Sequence, residues 1–324
     1  MREKEVPSYN SHEVLLQVRS IGICGSDLHA YQGNQAFFEY PRIFGHELGL
    51  SVLEVGSHVT HVKPGDKVAL IPHLYCGRCV ACRCGKTNCC TSLKVLGVHT
   101  DGGMQEVIAV PGHLLIEVND LSYEEIALIE PLAIGAHAIQ RAEVNPGEFA
   151  VVMGCGPIGL GIMIQAKLRG AKVIAMDMVD SRLKLAQRSF GADFIVRADD
   201  LAIEEVMQIT NGELATLVFD ATGNKLAIER GPDFMAHGGR YVIVGLFNGD
   251  LTFHQPKIQA KETSLLISRN AVKDDFLKVI SILRSGNFPE DEFITHRITF
   301  DNMISQFDQW LDPESGVIKA MVSL

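Results

Sequence analysis

Phe149-Ala150-Val151-Val152-Met153-Gly154-Cys155-Gly156-Pro157-Ile158-Gly159 decides the fold. Five apolar residues of strand character run into G-x-G-x-x-G, and a helix-compatible stretch follows. In that setting the three glycines have separate tasks. Gly154 permits a tight turn. Gly156 removes a side chain so that backbone can approach a pyrophosphate, and Gly159 lets helix and strand pack closely. Pro157 and Ile158 open the helix, whose free N–H groups would receive the phosphates. Eighteen residues after Gly159, a second strand ends in Asp177. Its carboxylate can accept hydrogen bonds from ribose hydroxyls and would repel a 2′-phosphate, which favours NAD over NADP. Arg182, five residues further on, pulls the other way, because it could reach such a phosphate.

The pattern continues outward from this point. Strand candidates are Phe149–Met153, Lys172–Asp177, Asp193–Val196, Thr216–Asp220, Arg240–Val244 and Ser264–Ser268. Helix candidates such as Pro157–Arg169 and Ser181–Ser189 lie between them. Alternation of this kind predicts an α/β doubly wound parallel sheet. Asp220-Ala221-Thr222-Gly223 and Val244-Gly245-Leu246 close two later strands. They are read either as cofactor-lining turns (Thr222, Val244, Gly245, Leu246) or as simple strand ends. The expected domains are residues 1–132, rich in short β runs and turns, a Rossmann domain at 133–269, and a tail at 270–324 that returns to the first. Within the tail a helix is expected over Lys273–Arg284 and a strand over Ile294–Ile298.

Two sets of metal-ligand residues stand out. Cys76, Cys79, Cys82 and Cys90 form C-x2-C-x2-C-x7-C, a spacing that lets four thiolates converge on one tetrahedral Zn2+. Adjacent disulfides at x2 spacing would be sterically awkward. Cys84 and Cys89 are spare thiols in the same loop. The second set is mixed: Cys24 in Gly22-Ile23-Cys24-Gly25-Ser26-Asp27, the pair His46-Glu47 after Gly45, and Glu130 before Pro131. No spacing rule joins these. Singly, each also reads as a buried thiol, a hydrogen-bonded imidazole or a surface carboxylate. A closed all-thiolate site and an open mixed site are what separate structural from catalytic zinc.

Bulk properties narrow the class. The chain has 324 residues, 47% hydrophobic and 21% charged, enough for two domains and a large core. A net charge of −10 without a basic stripe argues against nucleic acid and anionic membrane as partners. No apolar run is long enough to span a bilayer. The chain opens MREKEVPSYN rather than with an apolar targeting stretch, and its eight cysteines are expected to be reduced in the cytoplasm.

Taken together, Gly22-Ile23-Cys24-Gly25-Ser26-Asp27-Leu28-His29, Gly45-His46-Glu47, the four-cysteine loop, Glu130-Pro131-Leu132-Ala133 and the glycine fingerprint resemble the zinc-containing medium-chain dehydrogenases, specifically the polyol branch. Sorbitol and threonine dehydrogenases look like relatives. Gly33-Asn34-Gln35-Ala36-Phe37-Phe38 and Gly97-Val98-His99-Thr100-Asp101-Gly102-Gly103 look most like bacterial L-galactonate oxidoreductases. The resemblance implies a GroES-like β-barrel domain plus a Rossmann domain, with the active site in the cleft. It implies catalytic zinc surrounded by Cys24, His46 and Glu130, and a Glu47 that ligates directly or exchanges with water. It implies a Ser26–His29 relay for the substrate proton, structural zinc in the cysteine loop, and a homodimer or homotetramer. Members of the family usually carry one more β-strand ahead of the region that starts here at Glu3, so either the start is displaced or the barrel has lost an edge.

The activity so implied is oxidation of a secondary alcohol of a polyol or sugar acid to a ketone, with hydride passing to NAD. Asn34, Gln35, His99, Arg269 and Asn270 are candidate substrate contacts. Arg269 suits a carboxylate, though it could equally serve the cofactor or a neighbouring Asp. Phe37 and Phe38 could wall the pocket or belong to the core. Threonine oxidation is a rival, weakened because no acidic partner for an ammonium stands out. A non-catalytic nucleotide-binding scaffold is another, and it would be expected to lose ligands of the mixed site.

Overall fold

The computed structural model describes residues 3–35 and 37–324. Ala36, within the loop linked above to sugar-acid enzymes, lies outside them. In chain order the first elements are β1 (Glu13–Ile23), α1 (Gly25–Tyr31), β2 (Glu47–Val55), β3 (Lys67–Leu70), β4 (His73–Leu74), α2 (Val80–Arg83), β5 (Lys94–Val95), β6 (Val107–Pro111), β7 (Leu115–Glu117) and α3 (Tyr123–Ala142). Then come β8 (Phe149–Met153), α4 (Pro157–Leu168), β9 (Lys172–Asp177), α5 (Asp180–Ser189), β10 (Phe194–Arg197), α6 (Ala202–Ile209), β11 (Ala215–Asp220), α7 (Lys225–Arg230), β12 (Met235–Ile243), α8 (Gln255–Ala260) and β13 (Ser264–Ile267). The tail adds α9 (Lys273–Arg284), α10 (Glu290–Phe293), β14 (Ile294–Thr299), α11 (Phe307–Leu311) and β15 (Lys319–Ser323). The chain divides into two units, one of residues up to Pro131 together with Val272–Leu324, the other Leu132–Ala271.

The first unit is organised by β1. Its apolar residues Val14, Leu16, Val18 and Ile21 are completely buried. One edge of β1 pairs with β6 over Glu13–Gln17 and with β15 over Ser20–Ile23, while the other edge pairs with β2. Register shifts between Leu15 and Leu16 and between Val18 and Ser20 bend the strand, so one strand serves two lobes of a curled sheet. The sheet runs β14-β15-β1-β2-β3-β7 with β6 also on β1. The β14–β15 pair is parallel and the rest are antiparallel. The tail thus supplies two strands to the sheet that begins the chain. Residues 4–12 form no strand of their own.

The second unit is a six-stranded parallel sheet in the order β10-β9-β8-β11-β12-β13. Strand order reverses between β8 and β11, so the turns that follow these two strands flank the switch point where open α/β sheets bind ligands. Five of the six strands begin within a residue of their sequence-predicted starts. The exception is β12, which begins at Met235 rather than Arg240. Gly238 and Gly239 are accommodated inside the strand, with Gly238 at φ +72° and a register shift on the neighbouring strand between Ala215 and Leu217.

α3 crosses the boundary between the units, with Pro131 inside it. Pro131 has no N–H for the Ala127 carbonyl, which loosens the helix beside Glu130. No helix among the described residues is long and apolar enough to cross a membrane.

Candidate metal centres and dinucleotide site

In the first unit, β1 delivers Cys24 to the N-cap of α1. Asp27, three residues on and fully buried, accepts the Cys24 N–H at 3.0 Å and the Gly45 N–H at 3.2 Å. One carboxylate therefore ties together two segments that are 18 residues apart. Gly45 sits at φ +93°, which turns the chain so that His46 and Glu47 face inward at the start of β2. The Cys24 thiol, a His46 ring nitrogen and a Glu47 carboxylate oxygen lie within 4.8 Å of one another. Glu130 is outside that trio, though it is buried and close enough to act on the charge of His46.

Gly22 is needed for this geometry, since a Cβ there would stand 2.3 Å from Glu47 Oε2. Glu47 is completely buried and receives hydrogen bonds from Lys319 Nζ at 2.7 and 2.6 Å.

The electrostatics are those of a site with too much negative charge. Burial pushes the Asp27 carboxyl up. Burial, opposed by His46 and aided by Glu47, raises Glu130 to about 7. Burial would lower His46, but the Cys24 thiolate, Asp27 and Glu130 outweigh it and hold the imidazole well above its ordinary value. Lys319 is likewise pushed down by burial and raised on balance by Glu47 and Cys24. Each shift is a proton recruited where a cation is wanted. His46 Nδ1 is buried with no hydrogen-bond partner, 4.0 Å from Asp27 Oδ1. One sulfur, one imidazole and nearby carboxylates fit Zn2+.

Ser26 and His29 stand three residues apart on α1, hence on one face. Ser26 is half-buried and His29 exposed. His29 Nδ1 donates to Asn34 Oδ1 at 3.1 Å, which leaves Nε2 as the acceptor of the neutral ring.

In the second unit, the three fingerprint glycines occupy three different environments. Gly154 is at φ +96°. A Cβ on Gly156 would meet nothing within 4 Å, whereas one on Gly159 would lie 1.8 Å from the Gly154 carbonyl oxygen. Pro157 is the first residue of α4, pre-set for the helix. Asp177 Oδ2 accepts the Cys155 N–H at 2.7 Å, and Oδ1 accepts the Val179 N–H at 2.9 Å. Arg182 and Asp177 both act on the buried Cys155 thiol, so both converge on the glycine turn. At the neighbouring strand end, Thr222 Oγ1 donates to Asp220 Oδ1 at 2.5 Å. Gly245 packs against Gly223, and Val244 N donates to the Asp220 carbonyl at 2.9 Å. Leu246 beside them is 61% exposed. These groups fit a dinucleotide: open space over Gly156, a helix N-terminus, and a carboxylate at the end of β9.

Two family descriptions match the chain: the alcohol dehydrogenase GroES-like domain over residues 10–120, and zinc-binding dehydrogenase over residues 157–285. The chain belongs to the zinc-type medium-chain alcohol and polyol dehydrogenases.

Among relatives of this dehydrogenase, L-galactonate-5-dehydrogenase of Escherichia coli K12 is 38% identical, over 99% of this chain and 95% of that one. Sorbitol dehydrogenase of Bacillus subtilis is 34% identical, over 98% and 92%. An Escherichia coli short chain alcohol dehydrogenase complexed with NADH is 31% identical, with a TM-score of 0.91 over 99% of this chain and 94% of that one.

The dehydrogenase also gathers Cys76, Cys79, Cys82 and Cys90, with all four sulfurs within 4.8 Å of one another. Tetrahedral zinc with ligands at about 2.3 Å spaces its sulfurs about 3.8 Å apart. The Cys79 and Cys82 sulfurs are 3.5 Å apart, and the Cys76 N–H donates to Cys90 Sγ at 3.3 Å. Backbone N–H groups at Cys82 and Thr91 lower the Cys79 thiol to about 5, while burial and its thiol neighbours push Cys82 up to about 12. Four such thiolates cannot coexist without a cation, which is what a structural zinc supplies. Cys84 and Cys89 are exposed and outside the set, and all eight cysteines are free of disulfides.

Two residues of the mixed centre escaped sequence reading. Asp27 was visible only as part of a motif, although an acid three residues after an N-cap is a capping signal. Lys319 interrupts Val317-Ile318-Lys319-Ala320-Met321-Val322, and a lone charge in an apolar strand announces a buried partner.

Proposed function

We propose that this dehydrogenase oxidises a secondary hydroxyl of a sugar acid of the L-galactonate class to a ketone, with NAD as hydride acceptor. The observation that carries the chemistry is the convergence of Cys24 with His46 and Glu47, two segments of one largely buried centre. Zinc held there supplies a Lewis acid that lowers the pKa of the substrate hydroxyl. Cys24, His46 and Glu130 are the proposed ligands, and Asp27 fixes the backbone at Cys24 and at Gly45, the residue before His46. Ser26 Oγ would receive the hydroxyl proton as it gives up its own, which would travel by way of the nicotinamide ribose to His29, whose Nε2 is the free acceptor, and on to solvent. The hydride leaves the carbinol carbon for the nicotinamide. Asp177 and the Gly154–Gly159 turn hold the cofactor, and the carboxylate at Asp177 supports NAD over NADP.

Substrate class rests on the loops around residues 33–45 and 97–104. They are zipped together: Gly102 N donates to Ile43 O, Gly103 N to Gly45 O, and Met104 N to Phe44 O. The Phe37 ring stacks on His99 with centroids 6.3 Å apart. Both loops therefore border His46, and both carry the stretches whose resemblance to sugar-acid oxidoreductases supports this substrate class. Arg269, just after β13, remains the proposed partner of a carboxylate, and Asn270 a proposed substrate contact. The unpaired outer edge of β13, with Leu265 and Ile267 43% and 58% exposed, supports a homo-oligomer. Eight unpaired cysteines support a cytoplasmic location.

The test is a substrate panel. Polyols, aldonates and threonine are offered with NAD and with NADP, and absorbance of the reduced cofactor is followed. Fast L-galactonate with NAD is expected. Inert sugar acids with fast sorbitol would overturn the substrate class and leave the chemistry standing.

A further inference from the structure

The turn before β1 and the turn after β2 pack on each other through backbone. Ser11 O accepts the His58 N–H at 2.8 Å, Glu13 O accepts the Gly56 N–H at 2.8 Å, and Asn10 Oδ1 accepts the His12 N–H at 2.9 Å. Gly56 lets the two turns close, since a Cβ there would stand 2.5 Å from Asn10 O and from the Ser11 carbonyl. From another side, His12 O accepts the Gly112 N–H at 2.9 Å. Two exposed imidazoles are thereby mounted beside each other on fixed backbone. His12 Nε2 and His58 Nδ1 are 3.1 Å apart, with ring centroids 4.5 Å apart and planes at 53°. A linear N–H···N bond would set the rings end to end, and these are folded together instead. The separation of the nitrogens is that of two imidazoles on a single ion: with bonds of about 2.0–2.1 Å, neighbouring ligand nitrogens lie about 3.0–3.4 Å apart.

We propose that His12 and His58 chelate one divalent transition-metal ion of the Ni2+, Cu2+ and Zn2+ class, at a site separate from both cysteine-containing centres. Imidazole nitrogen selects such ions over Mg2+ and Ca2+, which take oxygen ligands. Among the described residues no third histidine, cysteine or carboxylate completes a triad with the pair. Water therefore fills the remaining positions, and the ion exchanges readily. The backbone around the pair is already ordered, so binding immobilises only two side chains. The ion joins the start of β1 to the turn after β2, a juxtaposition that exists only in the folded chain, and so it stabilises the fold.

The test adds Ni2+ to enzyme whose two zinc centres are filled. Bound nickel is measured by equilibrium dialysis, retained zinc in the same samples, and the melting temperature alongside. The wild type is expected to take up one Ni2+ per chain without losing zinc. With free Ni2+ at about 100 times its Kd, it should melt about 4 °C higher. His12→Gln and His58→Gln should melt like the wild type without nickel, being surface changes. Each should weaken nickel binding about tenfold or more, which at least halves the melting shift at the same concentration. His61→Gln is the control: this exposed neighbour already places Nε2 3.0 Å from Gly112 O, and its loss should leave nickel binding unchanged. No uptake by the wild type, nickel bound only in exchange for zinc, or unchanged uptake in either His12→Gln or His58→Gln would overturn the proposal.

Discussion

Gly156 and Gly159 belong to one motif, yet the structure assigns opposite consequences to the same substitution. Gly156 has φ −81° and ψ −175°, open to any residue, and a Cβ there touches nothing within 4 Å. Gly156→Ala should therefore leave stability within about 0.5 kcal/mol, since the reduced freedom of the unfolded chain offsets a slightly poorer helix cap. Cofactor binding should suffer, because the added methyl occupies the space through which phosphate oxygens reach the N–H groups of α4. Losing two charge-assisted hydrogen bonds at about 1.5 kcal/mol each raises the Kd for NADH roughly 100-fold. In Gly159→Ala the new Cβ would lie 1.8 Å from the Gly154 oxygen and 2.9 Å from its carbon. Backbone must move, at about 1–3 kcal/mol or more, and the melting temperature should drop by roughly 5 °C or more. Thermal denaturation and NADH fluorescence titration separate the two effects. Wild-type NADH affinity in Gly156→Ala would refute the placement of the phosphates. Equal melting losses in both variants would refute the distinction between open space and close packing.

Other consequences are checked individually. Asp177→Ala removes the acceptor for the Cys155 and Val179 N–H groups and for the ribose, so NAD affinity should fall about 100-fold while preference against NADP shrinks, as KM ratios will show. Asp27→Asn places an amide against one of two N–H donors, and a loss of about 2–4 kcal/mol with reduced zinc content should appear in melting and metal analysis. Glu290 is raised to about 7 by burial and by Glu125 and Glu124, with Arg297 opposing. Its folded-state pKa exceeds its unfolded value near 4.5, so its contribution is complete below that pH and is lost as pH rises through about 7. Because the group is half exposed, the discounted effect is about 1 kcal/mol. Glu290→Gln should therefore flatten the decline in melting temperature between pH 5 and pH 8.

Much of the second unit was legible because its signals are local. A strand that runs into Gly154, a helix that starts at Pro157 and an acid at Asp177 lie within 24 residues of one another, and period and punctuation suffice to place them. The start of β12 was the exception there: the strand candidate began at Arg240, whereas β12 begins at Met235 and takes in Gly238 and Gly239. The first unit was harder. Cys24 and His46 are 22 residues apart and Lys319 lies 273 residues beyond His46, so their meeting is a product of β1 taking β2 on one side and β15 on the other. No spacing rule records that pairing. The sequence contained its traces in Gly22, which a side chain would block, and in the single charge amid the apolar residues of β15.

Metal-assisted hydride transfer at the centre built from Cys24 and His46 is the chemistry proposed for this dehydrogenase. Its most direct test is the rate of absorbance increase at the reduced-nicotinamide band with L-galactonate and NAD, measured on enzyme stripped of its chelator-accessible zinc and again after zinc is restored. The account predicts a rate near zero when stripped and full recovery on adding zinc. A rate indifferent to that zinc would contradict it.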